Sequence, residues 1–183
     1  MEKLLEIHDN VIPKFIVDNI EKYLLKDSIV PLFYVPNLTY QPSSPEHHFS
    51  PGILNTFLNN ENKHNDQLGL FSSVLYGFSL YRQITITQYI QGRCFIDLPT
   101  PNFGPDLPPH TDLTYPHLVC LYYVNNSDGD TILFKDDKKT EIKRISPKKG
   151  RCVFFDGSIP HCGSRSEVST RAILNFNFLG EFQ

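Results

Sequence analysis

Several features that mark membrane, secreted or nucleic-acid-binding proteins are missing from this chain of 183 residues. No apolar run approaches the roughly eighteen residues that span a bilayer, and the N-terminus lacks the basic and apolar pattern of a secretory signal. Basic residues form no block beyond Lys138-Lys139 and Lys148-Lys149, and the net charge is −3. A nucleic-acid phosphate backbone attracts basic surfaces, so these few basic pairs predict no nucleic-acid partner. Without an apolar span or a secretory pattern, we expect a soluble cytoplasmic protein with no membrane partner.

Cysteines are also few, and their spacing excludes two common uses. They show neither Cys-x-x-Cys spacing nor the density of a disulfide scaffold, so reduced thiols that serve mainly in packing are expected. A chain of this length buries a core without such support, and a single domain over residues 1–183 is predicted. The four cysteines are Cys94, Cys120, Cys152 and Cys162.

The first 82 residues carry the helical signals. Apolar residues at helical spacing predict an amphipathic helix within 11–25 and a second one within 66–81. A shorter turn of helix is predicted at 53–58, and the Pro- and Ser-rich stretch 31–51 is predicted to be a loop with short extended pieces. Residues 1–82 are therefore expected to form a helical support region.

From residue 83 onward the sequence is typical of antiparallel β structure. Short runs dense in Ile, Val, Thr, Tyr and Phe alternate with Gly, Pro, Asn and Asp. Their number suits a double-stranded β-helix, or jelly roll, over 83–183. The predicted fold is thus mainly β with N-terminal helices (α+β), the helices packing on the larger sheet. Strands are predicted near 83–90, 94–98, 117–124, 131–134, 140–145, 151–155, 160–163 and 171–179.

The alternation along the last strand predicts a polar cavity between the sheets. Arg171, Asn175 and Asn177 share one face with Ile173, whereas the residues between them are apolar. If the apolar face carries the helices, Arg171 points with the two asparagines into the space between the sheets. The strand at 84–90 alternates in the same way.

A His-x-Asp tripeptide, His110-Thr111-Asp112, precedes a distant second histidine, His161. Side chains two residues apart in an extended backbone project to the same side. Two imidazoles and one carboxylate hold a divalent iron on one face and leave its other positions open for catalysis. The alternative is that both histidines are ordinary surface residues in Pro-rich loops. The flanking motifs favour the metal site.

Four motifs, in order between residues 84 and 179, resemble those of the 2-oxoglutarate and iron(II)-dependent oxygenases, most closely the prolyl-4-hydroxylase-like branch. They are the strand 84–89, the Pro-His-x-Asp loop 107–112, the turn 128–134, and the strand 150–156 followed by Pro160-His161. The resemblance implies a jelly-roll enzyme whose iron(II) is held by His110, Asp112 and His161.

The resemblance also assigns the cosubstrate residues. It implies that Arg171, ten residues after His161, binds the far carboxylate of 2-oxoglutarate through its forked guanidinium. Tyr89 and Thr131 would add neutral hydrogen bonds. Arg165, in a Gly-Ser-Arg-Ser-Glu loop, is the alternative to Arg171 and is predicted to be solvated.

Other polar residues near these motifs are expected to matter less. Asp128 and Asp130 stand where the family usually has Gly and Glu, and both are expected in an exposed turn. Arg93 lies by the Tyr89 strand and is expected to be a solvent-exposed charge. Only one of Tyr122 and Tyr123 can face the cavity, and packing accounts for both.

Together these patterns predict a non-haem Fe(II) dioxygenase that couples decarboxylation of 2-oxoglutarate to hydroxylation. The expected substrate is a prolyl or other amino-acid residue in a peptide, or a similar small molecule. O2 is the oxidant, and ascorbate is a candidate reductant for oxidised iron. The alternative is a non-catalytic cupin-type module that holds a metal or ligand without turnover. Substrate specificity is expected from the loops 31–51 and 93–108.

Overall fold

The computed structural model describes residues 3–27, 30–35, 52–59, 64–101 and 107–183. The helical elements in these ranges are α1 (Lys14–Glu21), a π-helical turn (Lys22–Lys26) and α2 (Leu68–Arg82). The strands are β1 (Leu5–His8), β2 (Phe33–Val35), β3 (Gly52–Leu58), β4 (Ile84–Asp97), β5 (Leu118–Tyr123), β6 (Thr131–Phe134), β7 (Glu141–Ile145), β8 (Cys152–Asp156), β9 (His161–Gly163) and β10 (Arg171–Phe182).

Two antiparallel sheets form the body of the described chain. The larger sheet has the strand order β1-β8-β5-β10-β4-β3-β2, and the smaller one has the order β7-β6-β9. Apolar side chains from both sheets meet in one cluster, which includes Tyr123 and Ile173 from the larger sheet and Leu133 and Ile145 from the smaller. The prediction of a mainly β jelly roll with N-terminal helices is confirmed.

The helices lie on the other face of the larger sheet. A second cluster joins Ile20 of α1 and Phe78 of α2 to β10, and each buried phenylalanine in it contributes roughly 1.5–3 kcal/mol by leaving water. The predicted two-faced character of the last strand is confirmed, because its alternate residues lie in this helix-side cluster. These β10 residues are Ala172, Leu174, Phe176 and Phe178.

The prediction of a helical turn at 53–58 is wrong, because this segment is strand β3. A short apolar run fits a buried strand as well as a helix, and pairing with β4 decides in favour of the strand: Leu54 lies opposite Phe95. Together with β1 and β2, the first 82 residues supply three strands to the larger sheet. The helical support region is therefore also a sheet-forming region.

One further predicted boundary differs from the structure. The strands expected at 83–90 and 94–98 are one continuous strand, β4, which pairs with β10 along its length. The stretch 31–51 contains the short strand β2 near its start, in agreement with the short extended pieces predicted there, and its residues 36–51 lie outside the described part of the chain.

The N-terminal segment is tied to the sheet and to α2. Strand β1 closes one sheet edge by pairing with β8, with Leu5 opposite Phe155. Arg82, at the end of α2, donates from Nε and Nη2 to the two carboxylate oxygens of Glu6, each at 2.8 Å. These links support a single unit, although the one-domain organisation over 1–183 stays a prediction.

The cysteines are free and buried, in agreement with a packing role. Burial raises the pKa of the Cys94 and Cys120 thiols, which keeps both thiols protonated and unreactive. Among the described helices, none combines the length and the apolar character that crossing a bilayer requires.

Candidate active site

The two histidines of the predicted metal site are brought together by their own backbones. His110 lies in the loop before β5, and His161 opens β9 of the smaller sheet. Each backbone N–H donates to the carbonyl of the other residue, at 2.9 Å from His110 and 2.8 Å from His161. Their ring centroids are consequently 5.0 Å apart.

Hydrogen bonds to nearby carbonyls orient both imidazole rings. Nδ1 of His161 lies 3.1 Å from the Ile159 carbonyl, and Nδ1 of His110 lies 3.3 Å from the Pro108 carbonyl. A ring that donates from Nδ1 presents the lone pair of Nε2 as a ligand. Burial lowers the pKa of His161 to about 4, so this ring is neutral near pH 7, as a metal ligand must be.

The carboxylate of Asp112 is held between two donors. Nη2 of Arg93 donates to Oδ1 at 2.6 Å, and Nδ2 of Asn175 donates to Oδ2 at 2.9 Å. Burial acts to raise the pKa of Asp112, but the charge of Arg93 and the hydrogen bond from Asn175 act against it, and this pKa lies well below its usual range. Asp112 is therefore ionised, and its Oδ2 lies 3.8 Å from Nε2 of His161.

The three side chains fit a single metal ion. One ligand atom from each of His110, Asp112 and His161 lies within 4.8 Å of the other two. Metal–ligand distances near 2.1 Å place two such atoms at most about 4.2 Å apart, so small side-chain rotations complete the set. Two neutral imidazoles and one carboxylate are the donor set of non-haem iron(II) oxygenases.

These residues face a cavity between the two sheets. Its volume is about 90 Å³, and it is partly open to solvent. Apolar side chains form much of the wall, while charged and polar groups lie along the strands β4 and β10. The lining residues are Arg93, Phe95, Asp97, Leu107, His110, Asp112, Leu121, Thr131, His161, Gly163, Arg171, Ile173 and Asn175.

Arg171 and Thr131 meet in this same cavity. Arg171 is only 4% exposed, and its Nη2 donates to Oγ1 of Thr131 at 2.9 Å. The hydroxyl of Tyr123 donates to the same oxygen at 2.7 Å, and the Arg171 guanidinium lies 5.9 Å from the Tyr123 ring centroid. Of the tyrosine pair in β5, Tyr123 thus lies on the side of the larger sheet that packs against the smaller sheet, and it contacts the cavity residue Thr131. Arg165 does not line it.

Tyr89 is not brought to this cavity. A register shift in the pairing of β4 with β10 places Asn177 opposite Gln91 but Phe178 opposite Tyr89. The irregularity turns the Tyr89 side chain to the helix-facing side of the sheet, where its ring centroid lies 6.2 Å from that of Phe176. Burial there raises the pKa of Tyr89. The strict alternation assumed for 84–90 does not continue across this bulge.

Strand β4 supplies two charged residues, Arg93 and Asp97, that were not predicted from the sequence to belong to the site. Arg93 is not a solvent-exposed charge, because it binds the Asp112 carboxylate. Asp97 accepts a hydrogen bond from Nη1 of Arg171 at 2.7 Å. Their signal was present in the sequence, since Arg93, Phe95 and Asp97 alternate like Asn175, Ile173 and Arg171, their cross-strand partners.

Asp128 organises the loop behind Arg171, contrary to the expectation of a minor role. Its carboxylate accepts hydrogen bonds from the Ser166 and Ser169 hydroxyls and from the backbone N–H groups of residues 167–169. The next residue, Gly129, lies so close to Arg171 that an added Cβ would be 2.9 Å from the arginine Cδ. The conformation of this loop therefore affects the cavity wall next to Arg171.

Replacing Asp128 by alanine is expected to lower the free energy of unfolding by about 1–2 kcal/mol, since several charge-assisted bonds are lost. Burial acts to raise the pKa of Asp128, but the bonds from Ser166, Ser169 and the backbone hold it well below its ordinary value of 3.8. The ionised group therefore stabilises the fold above about pH 4, and this contribution is lost as the pH falls below that value. Urea unfolding between pH 3 and 7 measures both effects.

Asp136→Ala is the matched control for that experiment, because Asp136 is an exposed carboxylate in a surface ion pair with Lys3. Its removal should change the free energy of unfolding by less than about 0.5 kcal/mol. Equal losses for the two variants would show that Asp128 does not hold the loop.

Sequence comparison finds a match, over less than half of the chain, to the family that the motifs resemble. The model of the 2OG-Fe(II) oxygenase superfamily matches residues 100–179, a stretch that contains His110, Asp112, His161 and Arg171. The resemblance to these oxygenases is confirmed. The comparison with curated proteins found no match.

Solved structures of such enzymes share the fold. A prolyl hydroxylase from Trichoplax adhaerens, in complex with a hypoxia inducible factor oxygen degradation domain peptide, has 14% identity and a TM-score of 0.62, covering 96% of this chain and 83% of that one. A prolyl-4-hydroxylase from Pseudomonas putida has 15% identity and a TM-score of 0.53, with coverage of 95% and 91%. The epimerase SnoN, in complex with Fe3+, alpha ketoglutarate and nogalamycin RO, has 9% identity and a TM-score of 0.60, with coverage of 98% and 81%. At these identities the likeness establishes the fold and leaves the substrate open.

Proposed function

We propose that this protein is an Fe(II)- and 2-oxoglutarate-dependent oxygenase that hydroxylates an amino-acid residue in a peptide or a related small molecule. The observation that carries the proposal is one cavity with two functional ends. His110, Asp112 and His161 converge at one end, and Arg171 with Thr131 lies at the other. A metal triad and a buried guanidinium together suit a chelating, dianionic oxo acid.

The residues at the metal end would hold iron(II) and prepare it for the cosubstrate. His110 and His161 offer neutral imidazoles, while Arg93 and Asn175 fix the Asp112 carboxylate between them. When bound, iron(II) and 2-oxoglutarate supply the oxidising chemistry: O2 delivers one atom to the substrate and one to the oxo acid, which loses carbon dioxide and becomes succinate. Three protein ligands leave room for this chemistry on the open side of the ion.

The residues at the other end would bind the far carboxylate of the cosubstrate. Arg171 is always charged, and Thr131 lies beside its Nη2. Tyr123 donates a hydrogen bond to Thr131 and is a further candidate for binding this carboxylate. We propose it in place of Tyr89, which does not reach the cavity. Apolar neighbours such as Leu121 and Ile173 exclude water between the two ends.

A prolyl residue in a peptide is the favoured substrate. Prolyl hydroxylases stand among the structural neighbours, and the cavity wall between the charged ends is largely apolar. Four buried, free thiols favour a reducing compartment, and we place the enzyme in the cytoplasm as a single domain over residues 1–183.

The test begins without oxygen. Protein with Fe(II) and 2-oxoglutarate should develop a weak visible absorption band from the metal chelate, and admission of O2 should then release succinate. Glutarate, which lacks the keto group, is the control and should give neither signal. Peptides and metabolites are then screened by mass spectrometry for the gain of one oxygen atom.

The same experiment separates this proposal from a cupin-type binding module, which also places a metal inside a jelly roll. A module without turnover would bind the ion but release no succinate when O2 is admitted. Metal binding without a chelate band or succinate would therefore favour the binding module and contradict the oxygenase.

A further inference from the structure

Arg171 already has a negative partner inside the cavity. Its Nη1 donates to Oδ2 of Asp97 at 2.7 Å, while its Nη2 donates to Thr131. Asp97 and Arg171 are direct cross-strand partners on β4 and β10, so the sheet register holds the two charges together. Both side chains line the cavity that contains the metal triad.

We propose that Asp97 is a built-in counter-ion that competes with the far carboxylate of the cosubstrate for Arg171. This inference rests on the proposed function, because it assigns Arg171 to 2-oxoglutarate. Asp97 acts through Arg171 and is a positioning residue that sets how tightly the site binds a dianionic oxo acid. Because binding is weakened, the fraction of enzyme that holds the oxo acid then rises with the oxo-acid concentration in a range where a tighter site would already be saturated.

Groups other than Asp97 also hold the Arg171 side chain in place. Thr131 accepts from its Nη2, the Tyr123 ring lies 5.9 Å from the guanidinium, and Gly129 leaves just enough space for its side chain. The position of Arg171 therefore does not depend on the charge of Asp97 alone. Removing that charge should leave the guanidinium in place and free it for an incoming carboxylate.

The charge of Asp97 also has a benefit in the cosubstrate-free protein. Arg171 is buried, and a buried cation without a counter-ion destabilises a fold strongly. Asp97 neutralises it, yet like charges repel when a second carboxylate arrives in the same low-dielectric space. The same residue thus raises the stability of the free enzyme and lowers its affinity for the oxo acid.

Asp97→Asn tests this directly, because asparagine keeps an oxygen acceptor for Nη1 and removes only the charge. In calorimetric titration of the Mn(II)-loaded protein with 2-oxoglutarate, the dissociation constant is expected to fall about tenfold. The thermal midpoint of the ligand-free variant is expected to fall as well. A merely structural residue would lower both stability and affinity when it is changed.

Asp130→Asn is the matched control. Asp130 lies next to Thr131 in sequence, but its carboxylate lies near Arg144, at 3.9 Å from Nη1. The dissociation constant should be unchanged in this variant. If Asp97→Asn does not fold, Asp97→Thr replaces it, because a neutral β-branched side chain suits a strand.

Unchanged or weaker binding of 2-oxoglutarate by the folded Asp97 variant would overturn the inference. An equal gain in affinity for Asp130→Asn would also overturn it, since a general reduction of negative charge would then be the cause. If the Mn(II)-loaded wild-type protein binds no 2-oxoglutarate at all, the proposed function fails instead.

Discussion

Replacing His110 by alanine is expected to abolish metal binding and, with it, the chelate absorption band and succinate release. The loss in metal affinity should exceed about 100-fold, because changes to the partners of metal ligands alone cost roughly 10- to 100-fold. The fold should survive, since the bond from His110 to His161 is made by the backbone. Calorimetric titration with Mn(II), followed by the anaerobic absorption experiment, measures the effect.

His64→Ala is the control for the loss of a histidine, because His64 is exposed and is not part of the metal triad. Its metal affinity and thermal midpoint should match those of the wild type. A His110→Ala protein that still binds Mn(II) as tightly as the wild type would exclude His110 as a ligand.

Replacing Arg171 by methionine is expected to raise the dissociation constant for 2-oxoglutarate by more than about 100-fold. Removing one partner of a buried, hydrogen-bonded charge pair costs roughly 2–5 kcal/mol, and Asp97 would then repel the cosubstrate unopposed. Arg171→Lys keeps the charge and loses the fork, so an intermediate increase of about tenfold is expected. Titration of the Mn(II)-loaded variants separates this effect from any change in metal affinity.

Arg165→Met decides between the two arginines that the sequence offered for this role. Arg165 does not line the cavity of the triad, and its replacement should leave the dissociation constant for 2-oxoglutarate within about twofold of the wild-type value. Loss of cosubstrate binding in Arg165→Met but not in Arg171→Met would reverse the assignment.

The convergence of His110, Asp112 and His161 was predictable because its sequence signals are local. The His110-x-Asp112 spacing, the flanking prolines and the strand before His161 each depend on a few adjacent residues. The placement of Arg171 followed from the alternation of one strand, which continues without a break along its paired residues 171–177. Short-range periodicity was therefore sufficient for these positions.

The errors arose where a distant partner decides the local structure. Segment 53–58 has apolar spacing that fits a helix, but pairing with β4 makes it a strand. Tyr89 follows the right alternation, but the irregular pairing of β4 with β10 turns its side chain to the other face. No pattern within either segment contains that information, because it depends on the register with a strand far away in the sequence.

Charge partners were harder still to predict. An arginine in a strand, such as Arg93, is ordinarily exposed to solvent, and only the fold brings it to Asp112. Asp128 looks like an ordinary turn residue, but the loop that it holds begins more than thirty residues later. Such long-range ion pairs and hydrogen bonds depend on how distant strands are arranged in the fold. The periodicity of residues along one sequence does not define that arrangement.

The reciprocal backbone bonds between His110 and His161 have a consequence for how new specificities arise on this framework. Since main-chain pairing sets the spacing of the two imidazoles, side chains around the rim of the cavity can change without moving these two histidines apart. Exchange of rim segments is therefore a rational route to redirect the enzyme toward new targets.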